Sequence, residues 1–285
     1  MSVFLNGEFL RLEDARVPVL DRGFLFGDGV YELMPVYGGQ PFRPDAHLAR
    51  LARSLAQVMI PNPYDNPCWR KIFNELVQRA GGGDLLLYWQ VTRGVAARDH
   101  AFPRRIEPTV FAMANPPLVP IPEQLERGVK AIVLEDIRWD RCDIKAISLL
   151  GNVLLRQQAI EADATEAILM RDGWITEGAA SNVFAVLDGV IVTPPNGPTL
   201  LPGVTRDLVL ELIGTAGLSY REATISEREL RHAQEIWITS SAKELLAVTT
   251  LDGVRVGNGA PGALWKQAYQ FFQDCKARAR ASEVI

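Results

Sequence analysis

Residues 115–122, NPPLVPIP, hold four prolines in eight positions, and no other stretch restricts the fold so much. Proline fixes φ and lacks a backbone N–H, so this segment continues neither a helix nor a central strand and reads as a linker between domains. The expected division is an N-terminal α+β domain over residues 1–115, a proline-rich linker over 116–122, and a C-terminal α+β domain over 123–285. At 285 residues and 48% hydrophobic, the chain can bury a sizeable core, most naturally as two domains.

Both parts mix the periods of strand and helix. Residues 2–12 alternate about Asn6-Gly7, where both positions tolerate positive φ, and read as a hairpin. A glycine-rich loop over 21–29 leads into strands over 30–37 and 40–43, joined at Gly38-Gly39. From Pro44 the period changes: Leu48, Leu51, Ala52, Leu55 and Val58 recur at helical spacing. A second helix over 67–80 stops at Gly81-Gly82-Gly83, and 84–92 and 108–114 read as strands. Further on, a strand over 128–134 precedes Lys145, and a helix spans 149–162. Asp172-Gly173 and Asp188-Gly189 then mark the turns of a meander over 166–194. A helix over 205–214 with Thr205 as its cap is expected, then strands over 221–225 and 235–239, a short helix over 226–233 and an amphipathic helix over 262–280. Without regular βαβ alternation this pattern predicts α+β rather than a doubly wound sheet.

Charge and composition exclude several classes. A net charge of -4 and a pI near 5.5 provide no field for nucleic acid or an anionic membrane, so a small-molecule partner is expected. Cys68, Cys142 and Cys275 are far apart, as are His47, His100 and His232, so no metal site is expected and the cysteines fit a reducing compartment. There is no basic leader followed by an apolar stretch, and nowhere do roughly eighteen apolar residues run together. The expectation is a soluble cytoplasmic protein.

Chemistry concentrates around Lys145, the last charge before the small and apolar run Ala146, Ile147, Ser148, Leu149, Leu150. An ammonium held against apolar neighbours loses hydration, its pKa falls, and the neutral amine becomes a nucleophile able to form a Schiff base with an aldehyde. A lysine snorkelling from a strand end to water has the same local sequence. Were the aldehyde pyridoxal phosphate, a carboxylate would have to face its ring nitrogen, and Glu177 in WITEGAAS is the candidate, against the plainer reading of a solvated strand end. The phosphate would need backbone N–H groups at a helix start, as Gly203, Val204 and Thr205 offer. Hydroxyls of Ser240 and Ser241 and the Arg50 fork are further candidates; capping and an ordinary turn explain the same residues structurally. In TRGVAARDHAFP, Arg98 and His100 stand two apart and project to one side of an extended backbone, either closing on a substrate carboxylate or forming a solvated basic loop.

Taken together these stretches resemble the fold type IV pyridoxal phosphate enzymes, and among them the D-amino acid transaminases. The blocks in order are DRGFLFGDGVYE at 21–32, HLARL at 47–51, VTRGVAARDHAFP at 91–103, EDIRWDRCDIKAISLLGNVL at 135–154, TEGAASNVF at 176–184, GVTRD at 203–207 and ITSSAKE at 238–244. The resemblance implies a smaller N-terminal sandwich-like domain, a larger β-rich C-terminal domain with helices, and a cofactor in the cleft between them. It implies Lys145 as the cofactor lysine, Glu177 as partner of the ring nitrogen, and Leu201 packed behind the ring. Arg50, Val204, Thr205, Ser240 and Ser241 would form the phosphate shell, with Ser181 and Asn182 as remaining polar neighbours. Tyr31, Arg98 and His100 would form a carboxylate trap completed across a homodimer interface. Ala179 and Ala180 stand where D-selective members carry serines, and Leu33, Met34 and Pro35 where they carry β-branched residues. The implied reaction is ping-pong exchange of an amino group between a D-amino acid and a 2-oxo acid, pyruvate or 2-oxoglutarate. Alternatives on the same fold are an L-branched-chain transaminase and an aminodeoxychorismate lyase.

Overall fold

Asn6 and Gly7 adopt φ of 49° and 98°, the left-handed pair of a tight hairpin turn, and join β1 (Ser2–Leu5) to β2 (Glu8–Arg11). The structure is a computed structural model that describes residues 1–118 and 120–281. After β2 come α1 (Arg22–Phe26), β3 (Gly29–Tyr37), β4 (Gln40–Pro41), α2 (Pro44–Gln57), α3 (Asn66–Arg79), β5 (Leu85–Thr92) and β6 (Thr109–Asn115). There follow α4 (Pro122–Arg127), β7 (Val129–Glu135), α5 (Leu150–Glu161), β8 (Glu166–Arg171), β9 (Trp174–Gly178), β10 (Asn182–Leu187) and β11 (Val190–Thr193). The chain ends with α6 (Val204–Thr215), β12 (Tyr220–Glu222), α7 (Glu227–Arg231), β13 (Glu235–Ser240), β14 (Glu244–Leu251), β15 (Val254–Arg255) and α8 (Ala263–Arg280). Among the described residues no helix is long and apolar enough to cross a membrane.

The described residues group into two units, one of 1–118, 144–149 and 276–281, the other of 120–143 and 150–275. Residues 144–149, with Lys145 among them, thus group with the first unit rather than with the 123–285 segment to which the linear sequence assigns them.

The first unit is built on an antiparallel sheet of order β2-β1-β6-β5-β3-β4. Strands β3 and β5 pair from Gly29 opposite Thr92 to Val36 opposite Leu85, which fixes which β3 side chains face inward. Helix α2 begins at Pro44, whose fixed φ suits the first helical turn, and Asp45 sits there to meet the helix dipole. Its apolar stripe, Leu48, Leu51 and Leu55, is buried with Trp69, Phe73 and Leu76 of α3 and with Val30, Met34 and Trp89 of the sheet. Each such side chain contributes about 1.5–3 kcal/mol on leaving water. The stretch 21–29, read as a loop from its glycines, contains α1. Asp21 caps it by accepting the Gly23 N–H at 2.8 Å, and Gly27 ends it in the left-handed conformation at φ 66°.

The second unit carries a nine-stranded mixed sheet of order β12-β11-β10-β13-β14-β7-β8-β9, with β15 paired to β14. Pairs β7–β8, β7–β14 and β11–β12 are parallel, and the others along this path are antiparallel. Helix α6 starts at Val204 with Gly203 as its cap, so Thr205 lies inside the first turn and is not the cap expected from its residue type. The reason is steric: a Cβ at position 203 would stand 1.9 Å from Asn182 Oδ1, so only glycine leaves that amide its place. An antiparallel sheet and a mixed sheet with helices, rather than regular βαβ units, make the fold α+β.

Gly94 supplies a test of how tightly the first unit is closed. It has φ of 86°, and a Cβ there would stand 1.9 Å from the Glu107 carbonyl oxygen, a backbone atom that cannot swing aside. Gly94→Ala is expected to lower unfolding free energy by about 2 kcal/mol or more, read as a lower urea midpoint at unchanged slope.

Candidate active site

Lys145 is held by its backbone beside the start of β3. Its carbonyl accepts the Tyr31 N–H at 2.9 Å, its own N–H donates to Ser54 Oγ at 3.3 Å, and Ile147 N donates to Gly29 O at 3.0 Å. Ile144 and Ala146 on either side are buried in the first unit's core, so the lysine has little freedom at its root. Its Nζ lies 4.2 Å from the centre of the Tyr31 ring, a cation–π contact that brings two of the expected site residues together. Tyr31 in turn lies against Tyr88, with ring centres 5.8 Å apart.

Arg50 is buried in α2 and makes a two-pronged pair with Glu32, Nε to Oε1 and Nη2 to Oε2, both 2.8 Å. His47 Nδ1 meets the same carboxylate at 2.8 Å. Burial opposes charge on Glu32, but the Arg50 guanidinium and His47 overcome it and hold the carboxyl down at about 2. For His47 burial is the larger influence, outweighing Glu32, and lowers its pKa.

Arg98 and His100 lie on the exposed segment after β5, and both reach Phe26 at the end of α1. The Arg98 guanidinium carbon is 5.4 Å from the ring centre, and the His100 ring centre is 5.5 Å from it.

In the second unit, β9 carries Glu177 into a buried position where three donors meet its carboxylate. Arg138 Nη1 donates to Oε1, while Leu201 N at 3.0 Å and Asn182 Nδ2 at 3.1 Å donate to Oε2. The Asn182 amide also donates to Leu201 O at 2.8 Å, so Glu177, Asn182 and Leu201 form one cluster. Arg138 is itself held by Asp136 through two bonds of 2.9 Å. Thr176 Oγ1 donates to Asp136 at 3.1 Å, and Arg171 pairs with it at 3.3 Å. Burial disfavours the Arg138 charge, yet Asp136 and Glu177 more than compensate and raise its pKa. Ser181 does not join the Glu177 cluster by its hydroxyl, which donates to Glu166 at 2.8 Å; Lys243 Nζ meets the same oxygen at 2.6 Å. Val204 and Thr205 are buried in the first turn of α6, whose cap, Gly203, has no side chain to occupy the free N–H groups. Ser240 ends β13 and accepts the Lys243 N–H on its hydroxyl at 3.0 Å, in a turn that also holds Ser241.

Arg138 and Asp136 were given no role by sequence reasoning, although both stand in the block EDIRW. Glu32 and His47 were also passed over; the signal was a charged residue inside the otherwise apolar strand GVYELMPVY, which has to find a partner if buried.

Residues 29–251 match the family described as Amino-transferase class IV. The chain is 43% identical over 277 residues to a D-alanine aminotransferase of Bacillus licheniformis, covering 96% of each. It is 38% identical over 273 residues to one of Staphylococcus epidermidis, covering 95% of this chain and 96% of that one. Its structure is similar to a branched-chain amino acid aminotransferase of Escherichia coli with TM-score 0.90 at 28% identity, over 96% of this chain and 93% of the other. The chain therefore belongs to the class IV aminotransferases. It is an enzyme of fold type IV, and its cofactor is pyridoxal 5′-phosphate.

The residues present fit that cofactor. A primary amine is rooted in a buried backbone, a buried carboxylate suits a protonated ring nitrogen, and a helix start capped by a bare glycine suits a phosphate.

Two outcomes follow from these charge clusters. Arg138→Met leaves Asp136 and Glu177 without their shared cation and is expected to cost about 3–5 kcal/mol of stability and weaken cofactor binding; urea unfolding and cofactor titration of the apoenzyme measure the two effects. The Glu32 and His47 shifts act in the same sense on acidification. A histidine whose folded pKa is depressed withdraws stability as pH falls below its unfolded value of roughly 6.5, and a depressed carboxyl does so below roughly 4.5 toward 2. Unfolding midpoints are therefore expected to drop between pH 7 and pH 4, with His47→Gln flattening the part of the slope between pH 7 and pH 5.

Proposed function

We propose that this enzyme moves an amino group between D-amino acids and 2-oxo acids in two half-reactions, with D-alanine as a donor to 2-oxoglutarate and pyruvate as the acceptor for other D-amino acids. The observation that carries the reading is the meeting of Arg98 and His100 on the Phe26 ring, in a chain 43% identical to a D-alanine aminotransferase along nearly its whole length.

Pyridoxal 5′-phosphate supplies the electron sink that makes a Cα–H bond of the amino acid breakable. The remaining work falls to the chain. Lys145 would hold the cofactor through Nζ at its aldehyde, and its amine, once freed by the substrate, would move the proton taken from the substrate Cα. Glu177 would keep the ring nitrogen protonated, and its donors Arg138, Leu201 N and Asn182 keep the carboxylate from turning away. Leu201 would pack behind the ring. Arg50, Val204, Thr205, Ser240 and Ser241 would hold the phosphate, with Ser181 and Asn182 as the remaining polar neighbours of the cofactor. Tyr31, Arg98 and His100 receive the substrate carboxylate, which sets which face of Cα is presented. We further infer a homodimer, as the resemblance in the Arg98–His100 segment implies, and a cytoplasmic location, which the scattered cysteines Cys68, Cys142 and Cys275 fit.

Similarity to a branched-chain aminotransferase structure keeps an L-branched-chain donor as the second reading. Cofactor-loaded enzyme offered D-alanine or L-leucine with 2-oxoglutarate separates the two: faster turnover with D-alanine is expected, and a preference for L-leucine would reject the D reading. Lys145→Ala is expected to abolish the visible absorbance that the lysine linkage confers and nearly all turnover. Wild-type rates in that variant would remove Lys145 from the mechanism.

A further inference from the structure

The segment bearing Arg98 and His100 is exposed, yet its backbone is tied to one buried side chain that no reading of the site has used. Arg22, in α1, is 3% exposed. Its Nη1 donates to Asp99 O at 2.5 Å and Ala101 O at 3.3 Å, and its Nη2 to His100 O at 3.4 Å. Three successive carbonyls thus turn inward on one guanidinium while the side chains of the same residues remain outside. The remaining edge of Arg22 is fixed by Asp28, which accepts from Nε at 2.8 Å. Asp28 is shared with Arg93, which donates Nε to Oδ2 at 2.7 Å and Nη2 to Oδ1 at 2.9 Å. Arg93 is anchored by Val58 O at 2.7 Å and Met59 O at 3.0 Å, and its guanidinium carbon lies 3.7 Å from the centre of the Phe102 ring. The Arg22 guanidinium is also 4.9 Å from the Phe26 ring, the ring on which Arg98 and His100 meet. A planar fork with five fixed donors can serve a carboxylate and three carbonyls together; an ammonium, with its donors on one atom, cannot span them.

We propose that Arg22 is a positioning residue for substrate recognition: locked by Asp28, it sets the backbone of residues 99–101 and so aims Arg98 and His100 at the carboxylate of amino and oxo acids. The inference rests on the reading of those two side chains as the carboxylate trap. It assigns Arg22 no contact with substrate, and so predicts a loss of substrate affinity with the chemical step spared.

The test compares cofactor-loaded Arg22→Lys, Arg98→Met and wild type. Three quantities are read: KM and kcat for D-alanine and 2-oxoglutarate, the inhibition constant of propionate as a non-reacting carboxylate, and amide hydrogen exchange over 97–102. Arg22→Lys is expected to raise both KM values and the propionate constant by about tenfold or more, to leave kcat nearly unchanged, and to speed exchange in that segment. Unchanged KM and inhibition constant in Arg22→Lys, with Arg98→Met raising both, would overturn the positioning role and leave the trap standing. A fall in kcat or in cofactor affinity with KM unmoved would mark Arg22 as merely structural. If Arg98→Met itself moves neither KM nor the inhibition constant, the trap reading fails and the positioning role fails with it. Should Arg22→Lys not fold, Asp28→Asn, which unlocks the guanidinium without removing it, carries the same expectations and is judged by the same outcomes.

Discussion

Charge taken out of water has to be met at close range, and three such meetings organise the residues considered above. Glu32 is met by Arg50 and His47, Asp28 by Arg22 and Arg93, and Glu177 with Asp136 by Arg138. Desolvating an ion costs several kcal/mol, so each cluster is stable only with all its members in place and with hydrogen bonds filling the remaining positions. Such clusters are poor sources of net stability. Their value here is geometric, because a two-pronged guanidinium–carboxylate pair has one good arrangement and passes it on to whatever backbone it touches.

Each cluster contains or adjoins a group to which the proposed function gives a role. Arg138 does not replace Glu177 but aims it, with Leu201 N and Asn182 completing the frame. Glu32, one residue after Tyr31, anchors the strand against which the Lys145 backbone is hydrogen-bonded. Apolar packing does the complementary work: Leu48, Leu51 and Leu55 of α2 seat the helix that presents His47 and Arg50 inward. The same helix therefore contributes core and charge from adjoining faces, which only its 3.6-residue period permits.

Elements with a clean period were legible from the chain. The α2 stripe begins at Pro44 as its residues dictate, and the hairpin at Asn6-Gly7 and the turns at Asp172-Gly173 and Asp188-Gly189 follow from residues that accept positive φ. Helix α1 was not legible, because its five residues, Gly23 among them, carry no periodic signal and only the Asp21 cap and Gly27 stop define it. Strand β14 escaped notice for the opposite reason: ELLAVTTL is buried on both faces, so it lacks alternation. The site divides along similar lines. Lys145, Glu177 and the helix start at 203–205 stand in short local blocks, whereas the partners that orient them are distant in the chain. Arg138 lies 39 residues from Glu177, and Arg22 lies 77 to 79 residues from the carbonyls it gathers. Pairings over such separations are set by the fold and leave no mark in a single sequence.

The fit of Gly203 beneath the Asn182 amide carries a consequence for how this protein can change. Because a methyl group at 203 would occupy the space of Asn182 Oδ1, the two positions are coupled although 21 residues separate them. Randomising 203 alone should return glycine, while shortening 182 opens room for a side chain at the mouth of α6 but loosens the carboxylate of Glu177. Any redesign of the start of α6 is thereby entangled with the acid on β9, and the two must be re-engineered as one unit.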